Sequence, residues 1–193
     1  MRVLALNGSP RKNGNTEHSI GVVLNELNNA GIETEIMQLG GSRVFGCIHC
    51  NGCIKRKNLK CVIEDDPMND FIRKTHEADG IIIGSPTYVS NVTTEVKAYM
   101  DRCCYVNRAN DGIILRGKVG APVVTMARSG ATFTYSAINF FFGIAEMVIP
   151  GSSYWNLAIG HDKGEVQKDD MGMETFRVLG RNMADLMVQL KKD

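Results

Sequence analysis

Apolar and polar positions alternate in blocks along this chain. Four short blocks read as buried strands: residues 3–6 (VLAL), 33–37 (ETEIM), 80–83 (GIII) and 121–125 (APVVT). A fifth strand is expected at Glu146–Ile149. The first, third and fourth are apolar nearly throughout, the pattern of strands covered on both faces. Between them, apolar residues recur at helical spacing. Residues 15–29 carry Ile20, Val23, Leu24 and Leu27. Asp66 and Pro67 predict an N-cap followed by proline at the first helical position, with Met68, Phe71 and Ile72 behind them. Residues 93–105 place Val96, Tyr99, Met100 and Cys103 on one face, and residues 132–145 are apolar and aromatic. A last helix over 173–190 shows Met173, Phe176, Leu179, Met183, Leu186 and Leu190. Strands alternating with helices imply parallel pairing and right-handed crossovers. The expected fold is α/β, a doubly wound five-stranded parallel sheet, with residues 1–193 forming one domain.

In such sheets ligands bind beyond the carboxyl ends of the strands. Three loops that leave strand ends there have unusual composition. The first is GSPRKNGNT, Gly8 to Thr16. Ser9, Asn13, Asn15 and Thr16 offer hydroxyls and amides, and Arg11 adds positive charge. Gly8 and Gly14 let backbone amides face inward, and the following helix points its positive end at the loop. The chemistry is that of a phosphate site. It has neither the GxxxxGK[ST] nor the GxGxxG spacing, so a single phosphate monoester fits better than a triphosphate or a pyrophosphate. The second loop runs through Pro86, Thr87, Tyr88, Val89, Ser90 and Asn91. Tyr88 offers a flat face, and the backbone of residues 87–90 can meet the hydrogen-bonding edge of a heterocycle. The third contains Arg128, Ser129 and Gly130. A phosphate loop, a planar-ring loop and a third polar loop on one sheet edge point to flavin mononucleotide (FMN).

Composition narrows the setting. Charged residues make up 22% of the chain and the net charge is +1, which gives no field that would favour nucleic acid or an anionic membrane. No apolar run approaches the roughly 20 residues that span a bilayer, and the N-terminal apolar stretch is broken too early for a signal peptide. A cytoplasmic location is expected. In a reducing compartment the six cysteines then point to metal or redox chemistry rather than to a disulfide framework.

Four of them are clustered. Cys47, Cys50 and Cys53 are followed after seven residues by Cys61, a C-x2-C-x2-C-x7-C run within residues 46–62. Three thiols this close can wrap one iron–sulfur cluster, as in bacterial ferredoxins, with Cys61 near enough to be a fourth ligand. Zinc is a second reading of four cysteines, and free or disulfide-forming thiols are a third. Lys55, Arg56, Lys57 and Lys60 surround the run and can stabilise thiolates or attract an acidic electron carrier. Cys103 and Cys104 lie on a helix and read as structural.

These motifs carry a resemblance. GSPRKNGNT resembles the GSPR-x-x-x-NT signature of the NADPH-dependent FMN reductase superfamily, which has a flavodoxin-like fold. The segment from Ser85 to Arg102 is similar to the same family's SPxYxxxxxxxxKxxxDR stretch, with Lys97, Asp101 and Arg102 matching its ending. The cysteine run resembles that of the iron–sulfur flavoproteins within this superfamily. The resemblance implies that Ser9, Arg11, Asn15 and Thr16 hold the FMN phosphate and that residues 86–91 border its ring. It also implies a [4Fe–4S] cluster on Cys47, Cys50, Cys53 and Cys61, and a homodimer or tetramer in which one subunit's flavin lies near its neighbour's cluster. The implied activity passes electrons between a two-electron and a one-electron partner. Donors and acceptors would be a reduced nicotinamide, NAD(P)H, a ferredoxin-like carrier or a small quinone. The alternatives are a cluster-free NAD(P)H-dependent FMN or quinone reductase and a non-enzymatic flavodoxin-like electron carrier. No catalytic side chain is assigned.

Overall fold

The computed structural model describes residues 1–191. Strands β1 (Arg2–Asn7), β2 (Glu33–Gln38), β3 (Gly80–Pro86), β4 (Val119–Met126) and β5 (Leu157–Ile159) form one sheet in the order β2-β1-β3-β4-β5, with every pairing parallel. Helices α1 (Asn15–Asn29), α2 (Gly52–Arg56), α3 (Met68–Glu77), α4 (Thr94–Ala109), α5 (Ala131–Ile144) and α6 (Asp170–Leu190) connect and flank the strands, and a 3₁₀ turn at Glu165–Lys168 precedes α6.

The apolar strand runs are explained by burial on both sides. Alternate residues serve opposite cores, because successive side chains point to opposite faces. Leu4, Leu6, Ile81, Ile83 and Val124 pack with Met68, Phe71 and Ile72 of α3, Val96, Tyr99 and Cys103 of α4, and Phe141 and Phe142 of α5. Val3, Ala5, Ile82 and Val123 pack with Ile20, Val23 and Leu27 of α1 and Phe176, Leu179 and Met183 of α6. The α1–α6 contact is close: a Cβ on Gly180 would stand 2.6 Å from the Glu26 Cβ and 2.9 Å from the Val23 carbonyl oxygen. The inner stripe of α6 ends on Met187, with Leu186 only partly buried and Leu190 exposed. Helix α3 begins at Met68, so Pro67 and not Asp66 is the N-cap; Asp66 stands one residue earlier, where its Oδ1 accepts from the Met68 N–H at 3.1 Å.

One expected strand is not there. Glu146–Ile149 touches the sheet only through an isolated bridge between Val148 and Val119. Glu146 sits in the left-handed region (φ 59°), and Pro150 follows directly, so a ladder cannot extend through this segment. The fifth strand is Leu157–Ile159, which pairs with residues 124–126 at the other end of β4. The outer edge of β4 is thus covered in two pieces. Among the described residues no helix is long and apolar enough to cross a membrane.

Candidate functional site

A cleft open to solvent lies along the carboxyl edge of the sheet. The loop after β1 supplies Ser9, Arg11, Gly14, Asn15 and Thr16; the end of β3 supplies Pro86, Thr87 and Tyr88; the end of β4 supplies Thr125, Met126 and Ala127. Gly160, His161 and Lys163, from the loop after β5, complete it.

The first loop is held from beneath by Asn7. Its Oδ1 accepts from the Ser9 N–H at 3.1 Å, and its Nδ2 donates to Gln38 at 2.8 Å. Gly8 is pinned by the Thr93 hydroxyl, which donates to its carbonyl at 2.9 Å, and a Cβ there would lie 2.2 Å from Val96. Gly14 precedes α1, and a Cβ on it would stand 2.8 Å from the Arg11 carbonyl oxygen. Among the described residues no side chain caps α1, so the first-turn N–H groups and the positive end of the helix dipole are presented to the cleft beside Arg11. The Thr16 and Thr125 hydroxyls share a hydrogen bond at 2.8 Å. The Asn15 amide acts as a tether. Its Nδ2 donates to the carbonyls of Gly160 and Asp162, both at 2.9 Å, and its Oδ1 accepts from the Gly164 N–H at 2.8 Å. Asn15 therefore fixes the loop that brings His161 and Lys163 to the cleft. Asn13, with φ 51°, turns its N–H onto Glu17 and lies outside the cleft lining.

In the second loop, Thr87 carries a buried hydroxyl with no hydrogen-bond partner among the described residues. An orphaned buried donor in a cleft wall fits a polar ligand better than a dry wall. Tyr88 is half-exposed at the rim. Tyr88 and Asn91 close a tight turn through paired backbone bonds of 2.9 and 3.0 Å. Its two central residues, Val89 and Ser90, are both left-handed, with φ of 50° and 57°. Val89, Ser90, Asn91, Arg128, Ser129 and Gly130 stand outside the cleft lining, although Gly130 (φ 85°) packs against Ser90 so tightly that a Cβ would meet its hydroxyl at 2.4 Å. The cleft thus brings together seven of the residues singled out for FMN: Ser9, Arg11, Asn15, Thr16, Pro86, Thr87 and Tyr88.

A second, small cavity is lined by Cys47, Cys50, Cys53 and Cys61 together with His49, Arg102 and Tyr105. It forms in the segment between β2 and α3. His49, Asn51, Lys57 and Leu59 all adopt positive φ within this short stretch. Such a run of left-handed non-glycine residues wraps backbone tightly and costs free energy at each position. A Cβ on Gly52 would meet Val62 at 2.3 Å, so the turn into α2 requires glycine. Asn69 clamps Cys61 from both sides, accepting from its N–H at 2.8 Å and donating to its carbonyl at 3.0 Å. Burial is the largest influence on the Cys53 thiol and raises its pKa; backbone hydrogen bonds oppose this, and nearby Cys61 and Cys47 add to it. Among the described residues, no three His, Cys, Asp or Glu side chains are gathered closely enough to hold a single metal ion.

Arg102 from α4 lies against this cavity, and its side chain is fully buried. It donates to the Phe45 carbonyl at 3.1 Å, the Ile63 carbonyl at 2.9 Å, the Asp66 carboxylate and the Cys61 sulfur, the last at 3.3 Å. Burial works against the charge of Asp66, but the Arg102 guanidinium and the Phe45 and Met68 N–H groups outweigh it and hold the carboxyl below its ordinary range. Lys97 and Asp101 pair on the surface instead. Cys103 is buried, which pushes its thiol up to about 12, and burial also raises Cys104.

A family model described as NADPH-dependent FMN reductase matches residues 1–162. An iron–sulfur flavoprotein of Methanocaldococcus jannaschii is 37% identical, with all of both chains covered. The chain belongs to the NADPH-dependent FMN reductase family, among its iron–sulfur flavoproteins. It is a flavin-dependent oxidoreductase, and FMN is the family's flavin. The iron–sulfur flavoprotein of Methanosarcina thermophila is 31% identical, covering 100% of this chain and 98% of that one. A flavodoxin from the domain Archaea superposes with a TM-score of 0.62 at 17% identity, over 97% of this chain and 99% of that one, which shows the shared flavodoxin-like fold.

Two parts of the site escaped sequence reading. The His161–Lys163 loop was hidden because the fifth strand was expected eleven residues too early, so this loop did not register as following a strand. Arg102 stood out only as the end of a motif. Its contacts with residues 45, 61, 63 and 66 are long-range and leave no local pattern.

Proposed function

We propose that this chain is an oxidoreductase that holds FMN in the cleft and a [4Fe–4S] cluster on Cys47, Cys50, Cys53 and Cys61. It would pass electrons between a two-electron donor such as NAD(P)H and a one-electron partner. The observation that carries the reading is four thiols lining one cavity, on a chain that also carries the cleft and whose relatives are named iron–sulfur flavoproteins. When bound, FMN supplies two-electron exchange and the cluster single-electron exchange. The chain's own part is to bind and orient. Ser9, Arg11, Thr16 and the open first turn of α1 would hold the phosphate. Thr87 would donate to or accept from the flavin, with Tyr88 beside the ring. Residues 89–91 and 128–130 would form the outer rim, where Tyr88 and Arg128 shape the acceptor approach. The thiols fit a multi-iron cluster, whose ligands bind separate irons, better than one zinc ion, whose ligands must converge.

Exposed Phe133, Phe140 and Ile144, seven and four residues apart along α5, support self-association as a dimer or tetramer. The exposed Lys55, Lys57 and Lys60 favour an acidic, ferredoxin-like partner over a quinone. Residues 1–193 would act as one unit in a reducing cytoplasm. A second reading, a cluster-free NAD(P)H-dependent FMN or quinone reductase, is favoured by the family model over residues 1–162, described as NADPH-dependent FMN reductase. Anaerobic purification decides between them. The proposal expects one FMN and about four irons per chain; a flavin spectrum with no iron leaves the second reading.

A further inference from the structure

Among the described residues, Arg102 is the largest fully buried side chain. A buried guanidinium is tolerated only when its charge and its N–H groups are matched. Asp66, whose side chain is also fully buried, matches the charge, and the carbonyls of Phe45 and Ile63 take further donors. The remaining contact is unusual. Nε–H points at the sulfur of Cys61, 3.3 Å away. A neutral thiol is a weak acceptor, whereas a ligating thiolate accepts a charge-assisted bond from a cation. Asn69 fixes the Cys61 backbone on the other side, so Cys61 is held between two groups of this chain.

We infer that Arg102 is a positioning residue that tunes the cluster's electron affinity through its hydrogen bond to the Cys61 sulfur. This rests on the reading that the four cysteines hold a cluster. Reduction adds negative charge to the cluster. A donor on a ligating sulfur stabilises the reduced form more than the oxidised form and raises the potential. Asp66 cancels much of the guanidinium's net charge, so the directed N–H bond is the larger contribution. Lysine at this position can keep the pair with Asp66 but cannot reproduce the Nε–H geometry.

The test compares Arg102→Lys and Arg102→Met with the unaltered protein, all purified anaerobically, by iron and FMN content, thermal melting and EPR-monitored redox titration. The expected result is a more negative cluster potential in both variants with the FMN potential unmoved. Arg102→Lys should recover most of the melting temperature that Arg102→Met loses, without recovering the potential. A purely structural staple predicts the reverse: an iron-loaded Arg102→Lys protein with unaltered cluster potential overturns the inference. Should both variants fail to fold or to retain iron, pulsed EPR of unaltered protein labelled with ¹⁵N-guanidinium arginine decides. Coupling of that nitrogen to the reduced cluster supports the assignment, and its absence overturns it. Unaltered protein without iron fails before any variant is compared; it removes the cluster reading and this inference with it.

Discussion

Replacing Thr87 by valine should move the FMN-free and FMN-bound proteins in opposite directions. The hydroxyl is buried in the cleft wall without a partner. Leaving such a group unsatisfied costs about 1–3 kcal/mol, and removing it at nearly constant shape recovers part of that. FMN-free Thr87→Val should therefore unfold about 1 kcal/mol less readily. If the flavin satisfies this hydroxyl when bound, the variant loses a hydrogen bond worth about 0.5–1.5 kcal/mol, which weakens Kd roughly 2- to 13-fold. Urea unfolding of FMN-free protein gives the first quantity, and titration by quenching of flavin fluorescence gives the second. Unchanged or tighter FMN binding would refute the idea that Thr87 faces the flavin. A destabilised FMN-free variant would refute the idea that the hydroxyl is unsatisfied.

Other substitutions test neighbouring parts of the site. Arg11→Glu places like charge beside a phosphate and should weaken FMN binding about tenfold at low salt, less as salt screens it; undiminished flavin content counts against the loop assignment. Asn15→Leu breaks three bonds to residues 160–164 and should cost about 1–2 kcal/mol in urea unfolding and also weaken FMN; unaltered stability contradicts the tether. Lys118 tests burial at the opposite edge of the sheet, where burial pulls its pKa down to about 8 and its Nζ donates to the carbonyls of Thr75 and His76. The unfolded chain then binds a proton that the native state releases, so this residue's contribution to stability rises from about pH 8 towards its ordinary value of 10.5. The stability difference between the unaltered protein and Lys118→Met should follow that slope, and a flat difference across the window refutes it.

The legible parts of this protein are those written locally. Strands buried on both faces must be apolar throughout, so β1, β3 and β4 declare themselves. GSPRKNGNT is legible because a strand-to-helix turn with glycines, hydroxyls and an arginine has few other uses. β5 is obscure because it is three residues long and preceded by aromatic residues in a loop, whereas the rejected segment at Glu146–Ile149 has the stronger strand composition. Asn15 reads as a phosphate ligand from its place in the motif, yet all three of its amide contacts run to residues about 145 positions away. The role of Arg102 depends on packing between α4 and the cysteine segment, which no spacing rule encodes.

The central claim places a flavin and an iron cluster in two separate cavities of one chain. An anaerobic crystal structure with diffraction collected at the iron absorption edge tests it most directly. The account predicts anomalous scattering from several irons enclosed by Cys47, Cys50, Cys53 and Cys61, with FMN phosphate against Ser9, Arg11 and Thr16. A cysteine cavity with no anomalous iron signal, or a flavin phosphate seated away from the first turn of α1, would contradict it.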